Sequence, residues 1–331
     1  MNLLKPILFS AVQPSGTLTI GNYIGSILHW SSMQTTHHCI YSIADLHALT
    51  VFKNISSLQQ SKLDTLCFYL SAGINPKQSI IFLQSQVHQH CQLNWILNCY
   101  TYFGELKRMV QFKQKSKIYA KNINSGLFNY PILMSSDILL YQSNVVLIGK
   151  DQKQHLELAR NIAHRFNFLH GKFFNIPDSY IPNKYSCKIM ALLNPTIKMS
   201  KTDVNHNNVI FLLDNKKSVF NKINKSVTDS ENKIFYNSDT KPGISNLLNI
   251  YASLKRQNIH EVEKIFKKTS YKDFKYLLAC MISNKLSVLQ EKFHYFRNNL
   301  PYLKNILDYG AYQAKKIAQK TIENIYNLLG L

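Results

Sequence analysis

Short apolar stretches alternate with stretches of helical spacing in the first part of the chain, and this alternation limits the folds that are open to it. The apolar stretches cover residues 7–12, 39–44, 79–84 and 144–148, and residues 56–72 carry apolar side chains at helical spacing. Strands that alternate with helices in this way are typical of a parallel sheet with helices on both faces. We therefore predict an α/β fold built on a doubly wound parallel sheet.

The alternation stops after the third predicted strand. Residues 86–143 show helical spacing without a strand pattern, and we predict a helical insertion between two halves of the sheet there. Residues 173–189 are expected to be irregular, and from residue 204 the pattern is helical and basic. We predict a first domain over residues 1–203 and an all-helical domain over residues 204–331. Its last four helices are expected at residues 260–268, 271–283, 285–298 and 310–329.

The turn after the first predicted strand is suited to an anion. It reads Pro14-Ser15-Gly16-Thr17-Leu18-Thr19-Ile20-Gly21-Asn22 and leads into a predicted helix. Helix N-termini attract anions, and glycine lets a ligand approach the backbone closely. Turns of this composition also occur as plain architecture, so this stretch alone leaves both interpretations open.

Polar residues at the ends of other predicted strands and on one later loop extend this pattern. Asp45-Leu46-His47 follows the second strand, and Gly149-Lys150-Asp151-Gln152 follows the fourth. Residues at the carboxyl ends of parallel strands usually face the ligand crevice. The loop Lys198-Met199-Ser200-Lys201-Thr202 places two lysines three residues apart. These lysines either bind a phosphate or are ordinary solvated lysines. Asp137 lies among apolar residues on a predicted helix, where a carboxylate is costly without a partner. It is either a helix cap or surface residue, or a contact to a ligand.

The composition of the chain indicates what kind of partner it binds and in which cellular compartment it acts. The net charge is +21 and the isoelectric point is about 9.6, which favours a polyanion such as nucleic acid, or reflects a general enrichment in Lys, Asn, Ile and Tyr. The six cysteines form no C-x-x-C pair, which argues against a zinc or iron–sulfur site and indicates free thiols in a reducing cytosol. No apolar run approaches the roughly 18–20 residues of a membrane span. We therefore expect a cytoplasmic protein with no membrane partner and no protein-bound metal site.

Together, these motifs resemble the bacterial tryptophanyl-tRNA synthetases, a family of class I aminoacyl-tRNA synthetases. Thr19-Ile20-Gly21-Asn22 is similar to the first signature of that class, and the loop from Lys198 to Thr202 is similar to the second. The resemblance covers nearly the whole chain and implies a Rossmann-like sheet. It includes Gln13-Pro14-Ser15-Gly16, Gly104-Glu105-Leu106, Gln111-Phe112-Lys113-Gln114-Lys115-Ser116, Asp137-Ile138-Leu139-Leu140-Tyr141, Asp151-Gln152-Lys153-Gln154-His155, Thr228-Asp229-Ser230 and residues 241–251.

The resemblance implies roles for individual residues. Asp137 would accept the indole N–H of tryptophan, and Phe9, His47, Met134 and Ile148 would surround the ring. Three lysines would act in catalysis by contacting the phosphates: Lys115, Lys198 and Lys201. The ATP site would comprise Gln13, Pro14, Ser15, Gly21, Asn22, Gly149, Lys150, Asp151, Gln152, Ile189, Lys198, Met199, Ser200, Lys201 and Thr202.

The resemblance also implies the reaction and the partners. The chain would activate tryptophan with ATP as a substrate and with Mg²⁺, and would then transfer tryptophan to its tRNA. The insertion at residues 86–143 would form a homodimer interface, and residues 204–331 would bind the anticodon. Thr202 stands where the family usually has Ser, and Lys150 stands where an acidic residue is usual, so a backbone contact to ATP is expected there. A tyrosine-activating relative and a non-catalytic RNA-binding paralogue are the alternatives.

Overall fold

The computed structural model describes residues 5–14, 16–50, 55–118, 123–180, 188–201 and 203–331. Within two of its helices and one short turn, six side chains lie outside this description: those of residues 55, 56, 115, 117, 118 and 150.

Five strands in the described residues form one parallel sheet, in the order β3-β2-β1-β4-β5. The order reverses at β1, which pairs with β2 on one side and with β4 on the other. A doubly wound sheet opens a crevice at such a reversal, outside the carboxyl ends of the strands. The predicted Rossmann-like fold class is therefore confirmed. The strands are β1 (Ile7–Val12), β2 (His38–Ile43), β3 (Ser79–Leu83), β4 (Val145–Leu147) and β5 (Asp178–Tyr180).

Helices connect the strands, and most of the segment between β3 and β4 is helical. Among the described residues of the predicted insertion, 86–143, no strand occurs. A π-helical turn, Tyr23–Ile27, joins the first two helices. The helices are α1 (Ile20–Asn22), α2 (Leu28–Met33), α3 (Asp45–Ala48), α4 (Ile55–Ser71), α5 (Gln89–Cys99), α6 (Phe103–Lys107), α7 (Val110–Ile118), α8 (Ser125–Leu139) and α9 (Lys153–His170).

The last third of the chain is helical, with two differences from the sequence prediction. The two helices predicted at residues 271–283 and 285–298 are one helix, Tyr271–Arg297. The last helix begins at Leu300, with Pro301 in its first turn, where proline is tolerated. The strand β5 was not predicted, because its three residues are exposed and carry no apolar pattern. The helices are α10 (Lys216–Lys225), α11 (Pro242–Lys255), α12 (Ile259–Phe266), α13 (Tyr271–Arg297) and α14 (Leu300–Leu329).

The C-terminal helices share their hydrophobic cores with the sheet. One core joins residues of β1 and β2 with residues of α11 and α13, and the other joins β3 and α9 with α14. The Arg297 guanidinium also donates to the Asp64 carboxylate of α4 at 2.8 Å. Packing is therefore continuous across residue 203, and the division into two domains stays a prediction.

Helix α14 covers the outer edge of the sheet at β3. A Cβ atom added to Gly310 would lie 1.8 Å from the Ile81 carbonyl oxygen and 3.1 Å from the Ile81 nitrogen. Only glycine permits a helix to approach a strand backbone this closely. The edge strand is thereby shielded from pairing with another chain.

A buried lysine joins the starts of two C-terminal helices. The Lys241 side chain is 3% exposed, and its Nζ lies 2.7 Å from Asp229 Oδ1 and 2.9 Å from Glu231 Oε2. It also donates to the hydroxyl of Tyr271, the first residue of α13, at 3.1 Å. Burial disfavours the ammonium, but the hydrogen bonds to Asp229, Tyr271 and Glu231 raise the pKa of Lys241. The ion pairs therefore compensate the cost of burial.

We expect Lys241→Met to lower the free energy of unfolding by about 2–3 kcal/mol. Breaking a fully buried ion pair costs about 3–5 kcal/mol, and the partly exposed Asp229 reduces that cost here. Urea denaturation measures the change. Lys255→Met, on the exposed part of α11, is the control and is expected to change the free energy by less than about 0.5 kcal/mol. Equal effects of the two substitutions would contradict this account.

Candidate active site

A cavity of about 680 Å³ lies at the carboxyl ends of β1 and β4, where the strand order reverses. This is the crevice that the fold predicts for a ligand. Most of the residues predicted for the site line it. They are Phe9, Gln13, Gly21, Asn22, His47, Met134, Asp137, Ile148, Gly149, Asp151, Gln152, Ile189, Lys198 and Met199.

Backbone hydrogen bonds bring the two signature segments together. The Ile20 N–H donates to the Ile210 carbonyl at 2.9 Å, and the Leu212 N–H donates to the Leu18 carbonyl at 2.9 Å. The lysine loop closes a short hairpin in which the backbone of Met199 donates to Ile189 at 3.0 Å. These contacts hold the glycine-containing turn and the lysine loop at one cavity, which Gly21, Lys198 and Met199 line.

The first signature starts a helix with a reciprocal cap. The Thr19 Oγ1 accepts the Asn22 N–H at 3.2 Å, and the Asn22 Oδ1 accepts the Thr19 N–H at 3.0 Å. A Cβ atom added to Gly21 would lie 3.6 Å from the Cβ of Ile189, on the hairpin of the second signature. Gly21 therefore sits where the two signatures meet, and a larger residue would reduce the space between them.

The two described lysines of the second signature differ in their surroundings. The half-exposed Lys198 Nζ lies 3.1 Å from Asp151 Oδ1, whereas the Lys201 Nζ donates to the Gln13 carbonyl at 3.3 Å. Burial lowers the pKa of Lys201 to about 8. Burial also acts to raise the pKa of Asp151, but the Lys198 ammonium and hydrogen bonds outweigh it and lower that pKa. Among the described residues, no carboxylate forms an ion pair with Lys201.

A chain of polar groups runs from α8 to the Asp151 end of the cavity. The Tyr130 hydroxyl and His155 Nε2 are 3.0 Å apart, and His155 Nδ1 and Gln152 Oε1 are 2.6 Å apart. The Gln111 amide donates to the Asp151 carbonyl at 3.1 Å. Tyr130 and Gln111 line the cavity but were not predicted as site residues. Gln111 occurs in one of the family-like segments, which was the available signal.

The opposite end of the cavity is apolar and contains a buried carboxylate. Asp137 on α8 is 2% exposed, and both of its oxygens accept from the Gln84 amide, at 2.7 and 2.9 Å. The His90 Nδ1 lies 2.6 Å from Asp137 Oδ1, and the His47 Nδ1 lies 3.7 Å from Oδ2. Asp137 is therefore neither a cap nor a surface residue. Gln84 and His90 were missed by the sequence analysis, although Gln84 directly follows β3.

The remaining predicted residues lie beside the cavity or outside the description. Pro14, Ser200 and Lys201 are chain neighbours of the lining residues Gln13 and Met199. Ser15 and Thr202 lie outside the described residues. The side chains of Lys115 and Lys150 also lie outside the description, although the backbone of each belongs to a helical segment.

The described part of the chain also limits two other classes of site. It contains no group of three or more His, Cys, Asp or Glu side chains placed to hold a metal ion. It likewise contains no helix of sufficient length and apolar character to cross a membrane.

The comparison with known proteins assigns the family. Residues 3–287 match the model of the class I tRNA synthetases for tryptophan and tyrosine. The chain belongs to this family. It is 54% identical over 333 residues to the tryptophan–tRNA ligase of Buchnera aphidicola subsp. Acyrthosiphon pisum, covering 100% of this chain and 99% of the relative.

Two solved synthetase structures have the same fold over nearly their whole length. The tryptophanyl-tRNA synthetase of Mycoplasma pneumoniae is 34% identical with a TM-score of 0.93, over 99% of this chain and 98% of that one. The Campylobacter jejuni enzyme, complexed with ADP and tryptophan, is 33% identical with a TM-score of 0.80, over 98% of this chain and 100% of that one. The predicted membership of the synthetase family is therefore confirmed.

We expect the amine of Lys201 to become reactive at lower pH than ordinary lysines. A pKa of about 8 leaves most of the amine neutral above that pH, whereas an ordinary lysine titrates near 10.4. Acetylation with acetic anhydride at a series of pH values, followed by peptide mass spectrometry, gives the midpoint for each lysine. A midpoint for Lys201 equal to that of the exposed lysines in the same digest would refute the effect of burial.

Proposed function

We infer that the chain is an ATP-dependent ligase that joins tryptophan to its tRNA. It activates tryptophan with ATP to tryptophanyl-adenylate and pyrophosphate, and then transfers tryptophan to the 3′ end of the tRNA. The observation that carries the amino-acid specificity is the buried Asp137 carboxylate at the apolar end of the cavity. The relative in Buchnera aphidicola is named tryptophan–tRNA ligase, which agrees with this function.

Tryptophan fits the apolar end of the cavity. The indole N–H is a donor without an acceptor function, and an ionised carboxylate is an acceptor. We propose that Asp137 accepts this N–H, while Phe9, Met134, Ile148 and His47 surround the ring. A substrate without the N–H leaves the carboxylate unpaired, and sites of this kind reject such substrates by about 10⁴-fold or more, a magnitude measured on a related synthetase.

ATP fits the opposite end, where the two signatures meet. We propose that the turn after β1 and the loop after β4 hold the nucleotide and that the lysines contact its phosphates. Lys198 already binds a carboxylate oxygen of Asp151 and would exchange it for a phosphate oxygen. The proposed ATP contacts are Gln13, Pro14, Ser15, Gly21, Asn22, Lys115, Gly149, Lys150, Asp151, Gln152, Ile189, Lys198, Met199, Ser200, Lys201 and Thr202.

Positioning and charge neutralisation account for the activation step. A carboxylate oxygen of tryptophan attacks the α-phosphorus, the bond from that phosphorus to the bridging oxygen breaks, and pyrophosphate leaves with the electron pair. Reactions of this type depend on held geometry and on cations more than on a base. Because a phosphate favours the charged form of Lys201, its arrival raises the pKa from about 8 and completes protonation of the amine.

We propose that Mg²⁺ enters with ATP. Mg²⁺ in nucleotide sites keeps several waters and takes substrate phosphates as ligands. The described residues contain no group of three or more His, Cys, Asp or Glu side chains placed to hold a metal ion. The protein groups therefore suit a metal bound through the phosphates rather than by a cage of side chains.

The two alternatives are less well supported. A tyrosine-activating site needs a partner for a phenolic hydroxyl, and the relative that is 54% identical to this chain is named a tryptophan–tRNA ligase. A non-catalytic paralogue has no need for phosphate-binding lysines. In this chain Lys198 lines the cavity, and Lys201 donates to the carbonyl of Gln13, another lining residue.

We propose that residues 204–331 bind the anticodon of the tRNA. Helix α14 exposes Lys315 and Lys316 beside the exposed ring of Tyr312. Lysines neutralise phosphates, and aromatic rings stack on unpaired bases.

We also propose that the protein acts in the cytoplasm. The described cysteines are free thiols, which suits a reducing compartment: Cys39, Cys67, Cys91, Cys99 and Cys280.

Exchange of labelled pyrophosphate into ATP tests the activation step. We expect exchange with tryptophan and none above background with tyrosine or phenylalanine. Lys201→Ala is expected to remove the exchange almost completely while tryptophan binding, followed by calorimetry, changes by less than about threefold, because the lysine acts on phosphates.

The three other outcomes separate the hypotheses. Exchange with tyrosine instead would assign the pocket to another amino acid. No exchange in a folded protein that binds tRNA would favour the binding module. Normal exchange by Lys201→Ala would remove the proposed role of that lysine.

We propose that the chain forms a homodimer through an exposed aromatic surface. Trp95 of α5 is 73% exposed and Phe168 at the end of α9 is 88% exposed. The two helix ends lie together, because the Tyr100 hydroxyl and His170 Nε2 are 2.7 Å apart. The Arg165 guanidinium of α9 also lies over the ring of Tyr102, 4.0 Å from its centroid. Large exposed apolar surfaces of this kind mark protein interfaces.

We expect Trp95→Glu with Phe168→Glu to weaken the dimer at least about 30-fold, since buried aromatic anchors are each worth about 2 kcal/mol or more. Sedimentation velocity at micromolar concentration measures the change. Tyr295→Glu is the control, because this ring is 71% exposed on α13, outside the proposed surface. A monomeric parent protein, or a double variant that dimerises normally, would refute the assignment.

A further inference from the structure

His90 occupies a fully buried position beneath the apolar end of the cavity. Its side chain on α5 has no exposed surface. Its Nδ1 lies 2.6 Å from Asp137 Oδ1, and its Nε2 lies 2.9 Å from the hydroxyl of Tyr141. A buried imidazole with both nitrogens engaged has one orientation, so the contact to Asp137 is fixed from both sides.

The surrounding groups determine which nitrogen carries the proton. Asp137 accepts two hydrogen bonds from the Gln84 amide and is an acceptor towards His90, so Nδ1 carries the hydrogen. Burial, with the charge of Asp137, raises the pKa of Tyr141 well above its ordinary value, so the phenol keeps its proton and donates it to Nε2. Tyr141 therefore orients His90, and His90 donates to Asp137.

Asp137 accepts three hydrogen bonds from two donors, the Gln84 amide and His90 Nδ1. Oδ1 accepts from both Gln84 and His90, while Oδ2 accepts from Gln84, at 2.9 Å. The His47 Nδ1 lies 3.7 Å from Oδ2, beyond hydrogen-bond distance. A carboxylate offers about four lone-pair sites, so Oδ2 keeps capacity for a further donor. Because Asp137 itself lines the cavity, this capacity is available to an incoming N–H.

We propose that His90 is a positioning residue that determines tryptophan specificity by holding the Asp137 carboxylate in the orientation that accepts the indole N–H. This inference rests on the proposed function, because it deepens the role of the same pocket. His90 touches no substrate and acts through Asp137, with Tyr141 as its own support.

Tyr141, which orients His90, also packs against the apolar wall of the cavity. The Tyr141 ring stacks on Phe9 with centroids 5.8 Å apart and planes at 14°, and it meets Phe82 edge to face at 5.8 Å. Both Tyr141 and Phe82 are fully buried. The carboxylate and the apolar wall are therefore held by one packed group.

A matched pair of substitutions separates positioning from packing. His90→Asn keeps an amide donor near the place of Nδ1, while His90→Leu has a similar size and no donor. The readout is the dissociation constant, by calorimetry, of tryptophan and of β-(benzothiophen-3-yl)alanine, whose ring has sulfur in place of the N–H. His88→Leu, at the exposed start of α5, is the control and is expected to change neither constant.

We expect His90→Leu to weaken tryptophan binding about 10- to 100-fold, as for the loss of a hydrogen bond to a charged group, and binding of the sulfur analogue less than about threefold. His90→Asn is expected to return tryptophan binding to within about fivefold of the parent. Equal losses for both ligands, or equal behaviour of the Asn and Leu variants, would overturn the proposal and indicate packing alone.

A second variant covers the case in which His90→Leu does not fold. Tyr141→Phe keeps the ring packing and removes the hydroxyl that orients His90. It is expected to weaken tryptophan binding about 3- to 10-fold with little effect on the analogue, and an unchanged ratio of the two constants would overturn the proposal. Failure of the proposed function is distinguishable, because the parent protein would then not prefer tryptophan to the analogue.

Discussion

Leu18 and Ile20 exchange backbone hydrogen bonds with Leu212 and Ile210, and this pairing holds together two segments that are far apart in the chain. The turn after β1 belongs to one segment, and the other segment follows the lysine loop by eight residues, at Ile210. Because backbone groups make these bonds, the geometry depends little on which side chains occupy the positions. This end of the cavity is therefore a property of the fold, while Lys198 and Lys201 supply its positive charge.

The charged groups of the cavity are arranged before any ligand arrives. Lys198 pairs with Asp151 at one end, and Asp137 accepts from Gln84 and His90 at the other. Lys201 differs, because its ammonium has a carbonyl as a partner and a pKa lowered to about 8. Fixed dipoles and charges cost no reorganisation during a reaction, which is the main source of electrostatic stabilisation in enzymes. An anion beside Lys201 would thus relieve a charge that the fold leaves weakly compensated.

The sequence contained enough information for the sheet and for most of the cavity wall. Four of the strands are apolar runs, and polar residues such as His47 and Asp151 follow them, so the crevice could be predicted from chain order alone. The need for a partner to Asp137 could also be predicted, since a carboxylate among apolar residues must be compensated. The identity of that partner could not. His90 lies on another helix, and no periodicity within one segment reports which helices pack together.

The position of Asp137 depends on more than its own helix. Gln84 binds it and belongs to the short connection between β3 and α5. Gln86 of that connection and Gln89, the first residue of α5, both contact α14. Gln86 donates to Asp308 at 3.1 Å, and Gln89 donates to Gln319 at 2.8 Å. The approach of α14 to β3 at Gly310 then fixes this connection from the other side. The last helix is therefore part of the frame that places the Asp137 carboxylate, which the helical pattern of residues 310–329 alone could not reveal.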